Sequence, residues 1–511
     1  MGRHAPTASQ LLMLAVVCIV AAAALWQAVF VGFLASDDGS YLLAARHWLH
    51  DFPFVGNDHW SLRHTVVLPL AAIIALFGEG EHVIALEGLI YQVGILVVAG
   101  YFVLRVAGPM AAVAVIAALA SLPVLAIQST IVNDDLAELF FVALSLWLFL
   151  SAVEHGGRTG PLLGAGAAAG LAMISRESSA ALLLAYGILF LSGFGMARWR
   201  YWLMAGPFLV IELGEMLYYG FFVGDPFHRI RVLLDVVQLD QSVSLPTIGF
   251  DRRGVLRVGP IVDPFIMVFS RIDFGLIFYW AIPAVLWVFT ARRERGAPSR
   301  TARVMLLAGV TWLAFNAVAL RTSGALPRYY AMTAYAAAVV AAIWFGQVAW
   351  PRRPRRALAG LALVLAGNAA GLYLANKDPL FGPHALAAYL ATSDVPRVTI
   401  DPELAARSEI LLKWSGEWDR VSTAPPQAGD LVFHDPWIFD QPWQLTPKTA
   451  ASAAFAPKPN WQLYWRREED RKYIGVLVER LGLDRFLPAP ILSRLNRPRP
   501  PVTIYRVPGS G

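Results

Sequence analysis

Apolar residues in this chain gather into runs of about 20, the length a helix needs to cross the hydrocarbon core of a bilayer. The runs are Leu11 to about Leu34, Val83 to Leu104, Met110 to Ile127, Leu136 to Val153, Leu162 to Ile174 and Ala180 to Met196. They continue with Trp202 to Val223, Pro264 to Thr290, Val304 to Leu320, Tyr330 to Trp350 and Ala357 to Ala375. The pattern predicts about eleven crossings, with the fifth short. The first run follows a basic start at Arg3 and His4, is too long for a signal-peptide core, and reads as an uncleaved anchor. Val66 to Phe77 is apolar but only about a dozen residues long, within the interfacial range. It is expected as an interfacial helix inside a large first external loop, Ala35 to His82.

Arginine sets the expected orientation. With a cytoplasmic N-terminus, Arg105, Arg158, Arg198 with Arg200, Arg292 to Arg303 and Arg352 to Arg356 all fall on the inner side. The acidic turn Asn133-Asp134-Asp135 and the long loops then face outward. The predicted setting is the cell inner membrane, with a transmembrane domain over 1–376 and an extracytoplasmic, periplasmic domain over 377–511. Asn376-Lys377-Asp378-Pro379 opens that second, polar stretch. Strand-like segments at Pro396 to Ile400, Asp430 to His434 and Val502 to Tyr505, with helical periodicity at Pro402 to Trp414 and Glu468 to Leu483, make it a compact α/β domain. The fold class is thus a polytopic α-helical membrane protein plus a small C-terminal α/β domain.

Composition narrows the field. The 511 residues are 57% hydrophobic and 15% charged, against roughly a quarter charged in soluble domains. A soluble enzyme, a nucleic-acid binder and a disordered scaffold are excluded, and the net charge of +6 is topological. Seventeen tryptophans suit the headgroup zone. The single cysteine, Cys18, allows neither a disulfide framework nor a thiolate zinc site.

Candidate chemistry lies on the outer side. Ser36-Asp37-Asp38-Gly39-Ser40-Tyr41 leaves the first span with paired carboxylates. Half-desolvated and beside a like charge, such a group suits a general base; as the start of a helical pattern it also suits a cap. Asp134, Asp135 and, one turn later, Glu138 open the fourth span, where capping is the simpler role. Arg46, Arg63 with His64, Arg176, His228 with Arg229 and Arg231, and Arg328 with Tyr329 place cations on the same side, against the orientation bias. Phosphate at headgroup depth is their natural partner. The segment His228 to Arg231 equally fits a solvated loop face, whereas Arg176 sits between two apolar runs, where a cation is usually functional.

The ordered set resembles the GT-C glycosyltransferases, nearest in pattern to the protein O-mannosyltransferases and the lipid A aminoarabinose transferase. The matching residues are Asp37-Asp38-x-x-Tyr41, Ala45-Arg46, Arg63-His64 leading into Val67-Leu68-Pro69-Leu70, Asp134 or Asp135, Ser175-Arg176 and Pro327-Arg328-Tyr329. The likeness covers roughly residues 11 to 375, and the family's Lys-Pro-Pro-like element is Arg63-His64-Thr65 here. The resemblance implies an inverting transfer of a sugar from a polyprenyl-phosphate donor to a lipid, glycan or protein acceptor outside the membrane. It implies Asp37 as general base, Asp38 as the lesser candidate, and Asp134 or Asp135 as shaping the acceptor or sugar site. A lipid-phosphate leaving group gathers negative charge and needs fixed cations, for which Arg63, His64, Arg176 and Arg328 are candidates, with Tyr329 as hydrogen-bond donor. His228 and Arg229 are further candidates for the donor phosphate, and Tyr41 and Arg46 for substrate. No cofactor is expected; a divalent metal is the less favoured alternative, since carboxylates would then be ligands. Rival readings are a transporter or flippase of a lipid-linked glycan, a membrane anchor for a binding domain, and a lipid-linked oligosaccharide transferase or ligase. No internal repeat of the transporter kind is visible.

Overall fold

The computed structural model describes residues 6–241, 249–250, 256–259, 261–290, 297–319, 326–375, 380–440, 452–469, 482, 484–489, 492 and 500–509. The chain forms two compact units: residues 1–30, 40–76 and 85–376, and residues 31–39, 77–84 and 377–511.

The first unit is helical. Its helices are α1 (Ala8–Ala28), α2 (Asp37–His50), α3 (His64–Phe77), α4 (Glu81–Ala107), α5 (Pro109–Ser121), α6 (Pro123–Ala126), α7 (Asp134–Glu154), α8 (Thr159–Ser175) and α9 (Ala180–Ser192). They continue with α10 (Trp202–Phe222), α11 (His228–Gln241), α12 (Asp263–Ser270), α13 (Ile277–Thr290), α14 (Ala297–Ala319), α15 (Ala331–Trp344), α16 (Trp350–Arg352) and α17 (Pro354–Ala375). The first residues of α2 and α4 belong to the other unit. A short antiparallel pair, β1 (Gly249–Phe250) and β2 (Leu256–Arg257), lies between α11 and α12.

Among the described residues six helices are long and apolar enough to cross a membrane, or seven when the bent pair Pro109–Ser121 and Pro123–Thr130 counts as one. His64–Phe77, Thr159–Ser175, Glu177–Ser192 and Ile277–Thr290 are shorter apolar helices. The chain is a multi-pass membrane protein, as its hydropathy pattern predicts. Several runs are broken where the pattern reads them as continuous. The first helix stops at Ala28. Met110 to Ile127 bends by 66° at Pro123, which lacks an N–H and crowds the preceding turn. Pro264 to Thr290 divides into α12 and α13 around Gly275, at φ +49°.

That second break is built on two residues. Gly275 has a backbone that side-chain-bearing residues avoid, and a Cβ there would stand 2.1 Å from Oδ1 of Asn368. Asn368 is wholly buried; its Oδ1 accepts from the Leu276 N–H at 3.2 Å and its Nδ2 donates to Ser121 Oγ at 3.1 Å. Gly275→Ala is therefore expected to cost roughly 2 kcal/mol or more, read as a lower melting temperature in detergent; an unchanged melt rejects the account.

Helix α8 packs between α7 and α10. Its Gly-Ala-Gly-Ala-Ala-Ala-Gly sequence over 164–170 makes close approach possible. A Cβ at Gly166 would lie 2.0 Å from the Met204 carbonyl oxygen of α10. Ser145 of α7 donates to the Ala165 carbonyl at 2.7 Å. These close contacts hold α7, α8 and α10 together, and the ends of α7 and α8 carry candidate site residues.

The second unit carries a mixed sheet ordered β4-β3-β5-β7-β6. The strands are β3 (Val398–Ile400), β4 (Val421–Ser422), β5 (Leu431–His434), β6 (Gln462–Arg467) and β7 (Val502–Arg506). β3 runs parallel to β4 and β5, while β7 is antiparallel to both β5 and β6. Helices α18 (Phe381–Thr392), α19 (Pro402–Trp414) and α20 (Pro436–Phe439) accompany the sheet. Leu386 and Leu390 pack with Leu404, Leu412, Ile400, Phe433 and Ile504 as its core. Asp401 caps α19 by accepting from the Glu403 and Leu404 N–H groups. β3, β5, β7 and the α19 helix fall where the sequence pattern predicts them, while β4 and β6 are additional strands; the helix expected over Glu468 to Leu483 lies mostly outside the described residues. Segments 31–39 and 77–84 join this unit: Glu81 accepts from the Phe33 N–H at 3.1 Å and meets His384 Nε2 at 3.2 Å, and Trp414 Nε1 donates to Glu79 at 2.7 Å.

His434, buried on β5, has its imidazole held down to about 4 by burial, against a weaker pull from Asp440. The unfolded chain therefore binds the extra proton between about pH 6.5 and 4, so stability is full above that window and falls as pH drops through it. The loss is at most about 3 kcal/mol. Hydrogen exchange of β5 in the full chain is expected to accelerate from pH 6.5 to 4.5, after correction for intrinsic rates, and to lose that trend in His434→Gln.

Candidate active site

Helix α7 begins with an N-cap, Asn133, whose Oδ1 accepts from the Leu136 N–H at 3.0 Å while its Nδ2 donates to the Ile131 carbonyl at 2.8 Å. The cap fixes the first turn and places Asp134 and Asp135, both buried, at the helix N-terminus, where the dipole favours anions. Capping and clustering are thus both realised.

Three guanidiniums close on these two carboxylates among the described residues. Arg63 NH1 lies 2.7 Å from Asp134 Oδ2. Arg176, at the C-cap of α8, sets its Nε 3.4 Å from the same oxygen and donates through NH1 to Asp135 Oδ1. Arg328 Nε lies 3.6 Å from Asp135 Oδ2. Arg63 also donates to the hydroxyl of Tyr41, which is fully buried, at 2.6 Å. The Arg176 guanidinium lies over the Tyr329 ring, 4.4 Å from its centroid, a favourable cation–π placement. Nearby acidic groups hold the Arg63 and Arg176 guanidiniums more firmly charged, against the opposing effect of burial. Arg328 is 35% exposed, against 15% for Arg176 and 11% for Arg63, so the cluster opens to solvent on the Arg328 side. Glu138, one turn into α7, accepts from the hydroxyls of Ser178 and Ser179 at 2.6 and 2.9 Å.

A second cluster holds the remaining predicted cations. Arg229 donates through Nε and NH2 to Glu177, through NH1 to Glu215 and the Ile174 carbonyl, and through NH2 to the Met173 carbonyl. His64 Nδ1 meets the same Glu215 oxygen at 3.2 Å. His228 is buried with Nε2 2.9 Å from the Gly56 carbonyl oxygen. Neither His228 nor Arg229 lies on a solvated loop face; Arg231, 68% exposed, does, and pairs with Asp225. Their physical work is to fasten α11 to α8, α10 and the loop before α3. Here one guanidinium meets two carboxylates among the described residues.

The structure thus brings Arg63, Arg176, Arg328, Tyr329, Tyr41, Asp134 and Asp135 together, and separates His64, His228 and Arg229 into the neighbouring cluster. Arg46 is half-buried on α2. Asp37 and Asp38 open α2 in the segment that belongs to the second unit. Asp38 is buried; its oxygens accept from the N–H groups of Leu34 at 2.5 Å and Ser36 at 2.8 Å. Burial raises its carboxyl to about 6, opposed by those backbone donors. Glu177 and Glu215 are the residues that the sequence pattern did not single out, although Glu212 and Glu215 are carboxylates inside an otherwise apolar run, which is itself a functional signal.

Among the described residues no group of three or more His, Cys, Asp or Glu side chains converges as metal ligands. Asp134 and Asp135 already face guanidiniums, an arrangement that fits an anion better than a cation.

Residues 66–211, less than a third of the chain, match the family described as dolichyl-phosphate-mannose-protein mannosyltransferase. No curated protein matches the sequence. Among solved structures, ArnT from Cupriavidus metallidurans is similar in its apo state, with a TM-score of 0.57 at 14% identity over 97% of this chain and 98% of that one. The same protein bound to undecaprenyl phosphate gives 0.56 at 14% identity, over 98% and 99%. The archaeal oligosaccharyltransferase AglB from Archaeoglobus fulgidus, in complex with an inhibitory peptide and a dolichol-phosphate, gives 0.51 at 13% identity over 84% of this chain and 69% of that one. The resemblance read from short motifs is met at the level of architecture: the chain has the fold seen in the ArnT and AglB structures.

Proposed function

We propose that the protein is a membrane glycosyltransferase that moves a sugar from a polyprenyl-phosphate donor to an acceptor hydroxyl, inverting the anomeric centre. The observation that carries this reading is the set of three guanidiniums gathered on two buried carboxylates at helix ends, with Arg328 reaching solvent. A phosphate at the mouth would meet Arg328, the most exposed of the three guanidiniums. A match to a mannosyltransferase family and similar folds with undecaprenyl phosphate and dolichol-phosphate bound support the same chemistry.

In this mechanism Asp37 takes the proton as the acceptor oxygen bonds to the anomeric carbon. The bond from that carbon to the phosphate oxygen breaks, and its electron pair leaves with the lipid phosphate. Arg176 and Arg328 take up the growing charge, Arg63 is held between Tyr41 and Asp134 to support them, and Tyr329 positions Arg176. Asp134 and Asp135 keep the guanidiniums oriented before donor arrives, which is electrostatic preorganisation. His64, His228 and Arg229 are positioning residues, and Arg46 contacts substrate. The chemistry needs no metal in this scheme. The N-terminus is cytoplasmic, and residues 377–511 form a periplasmic domain of the inner membrane.

The test is mass spectrometry of lipids retained by the purified full chain, coupled to a transfer assay with each retained lipid. A polyprenyl-phosphate sugar that is consumed on adding acceptor is expected. Retention of a lipid-linked glycan that is never cleaved would replace this reading by a flippase.

A further inference from the structure

An apolar cavity opens among the membrane helices. Between α8, α9 and α10, Leu183, Gly187, Phe190, Trp202, Ala205 and Phe208 line a cavity of about 330 Å³. It uses Gly166 and Ala169 on α8, Leu183 to Phe190 on α9 and Trp202 to Phe208 on α10, and so extends from the middle of these helices toward the turn that joins α9 to α10. Its two tyrosines turn their hydroxyls away: Tyr186 bonds Ser145 at 2.7 Å and Tyr201 donates to the Phe194 carbonyl at 2.8 Å. The lining is therefore apolar, in helices whose flanking residues Leu184, Leu191 and Leu209 are exposed as lipid-facing side chains are. The volume is at the lower end of the ~300–1,000 Å³ of ligand pockets, enough for part of one alkyl chain.

The rim carries the head-group chemistry. The turn Arg198–Tyr201 leads into α10 and supplies Tyr201 to the wall. Arg198 donates to the carbonyls of Phe190 at 3.3 Å and Leu191 at 2.8 Å, and Arg200 to those of Gly156 and Gly157 at 2.5 and 2.6 Å. All four acceptors are neutral, so among the described residues neither guanidinium is paired with a carboxylate, and Arg198 sits against the carbonyl of Phe190, which lines the cavity. The nearby Glu154 is paired with Arg105 at 3.7 Å. Trp199 and Trp202, both exposed, flank the turn as interfacial indoles do, and the Arg200 guanidinium lies 5.2 Å from the Trp199 ring.

We propose that this cavity takes an acyl chain of an anionic phospholipid from the leaflet on the arginine-bearing side, with the lipid phosphate against Arg198 and Arg200. The site is distinct from the guanidinium cluster around Asp134 and does not depend on what that cluster binds. The lipid would brace α8, α9 and α10.

Native mass spectrometry of the full chain in detergent, titrated with phosphatidylglycerol or phosphatidylcholine, tests the assignment. The wild-type chain is expected to retain one phosphatidylglycerol at least about fivefold more tightly than phosphatidylcholine. A Cβ at Gly187 meets nothing within 4 Å, so Gly187→Trp fills the cavity without a backbone clash and is expected to lower that retention at least about fivefold. Ala205→Phe fills it from α10 and serves if the first variant does not fold. Gly360→Trp, also in open space on α17, controls for added bulk and is expected to retain lipid normally. The double change Arg198→Gln with Arg200→Gln is expected to bring the two lipids to parity. Equal retention of both lipids by the wild-type chain, unchanged retention in the cavity-filling variants, or occupation of the cavity by a polyprenyl phosphate would each overturn the proposal.

Discussion

Sugar transfer is expected to fall by about 10²- to 10⁴-fold when Asp37 is replaced by Asn, the usual range for loss of a general base. Donor binding should stay within about twofold, because Asn keeps the shape of the side chain and the proposed phosphate contacts lie on arginines. Asp38→Asn supplies the contrast. Its carboxylate is buried and spent on the backbone N–H groups of Leu34 and Ser36. At neutral pH a carboxyl held near 6 is mostly ionised, so these donors bind an anion. Asn retains one acceptor oxygen, and the expected loss is about 1 kcal/mol of stability with transfer largely preserved. Single-turnover transfer in proteoliposomes, measured beside donor affinity, separates the two residues. Full transfer by Asp37→Asn removes that residue from the chemistry, and an inactive Asp38→Asn with intact folding exchanges the two roles.

The adjacent carboxylates have different surroundings, and that difference is not visible in the sequence. Asp37-Asp38 reads as a pair, but which member turns back onto residues 34 and 36 depends on the positive φ of Ala35, 51°, and on the turn it makes. Arg176 and Arg328 were legible because a cation at the edge of an apolar run has few structural reasons to be there. Their meeting with Asp134 and Asp135 follows from α7 and α8 packing antiparallel through small residues, which puts the start of one beside the end of the other. Arg229 shows the limit of such reasoning. As one of several charges after α10 it resembles a loop cation, yet it is bound by Glu215 on the preceding helix and by Glu177, 52 residues away. The membrane helices have the same character. Pro123, and Arg271 with Asp273 just before Gly275, lie inside runs that average hydropathy reads as continuous, and both runs break there. In the second unit β3, β5 and β7 show buried alternation or short apolar runs. β6 is largely exposed along its length and β4 is two residues long, so neither leaves a hydrophobic signature.

Arg176→Ala is expected to affect both stability and binding, and the two effects can be separated. In the folded chain the guanidinium touches Asp135 and lies 3.4 Å from Asp134, both buried. Its removal leaves Asp135 with Arg328 at 3.6 Å and Asp134 with Arg63 at 2.7 Å, one guanidinium each where two had served. Breaking a buried pair from one side typically costs about 3–5 kcal/mol. If Arg176 also holds the donor phosphate, affinity for a polyprenyl-phosphate sugar should fall by about 10² or more, since a charge-assisted hydrogen bond contributes about 1.5–3 kcal/mol and more than one is lost. The double variant Arg176→Ala with Asp135→Ala removes the stranded carboxylate. It is expected to recover about 1–3 kcal/mol of stability through the coupling between the two sites, read as a higher melting temperature than the single variant. Donor affinity should not recover with it, because the cation facing the phosphate is still absent. A purely structural arginine predicts the opposite, with affinity returning as the fold is repaired. Donor affinity unchanged in the single variant, or restored in the double, would remove the phosphate from this cluster and leave Arg176 as a tie between α7 and α8.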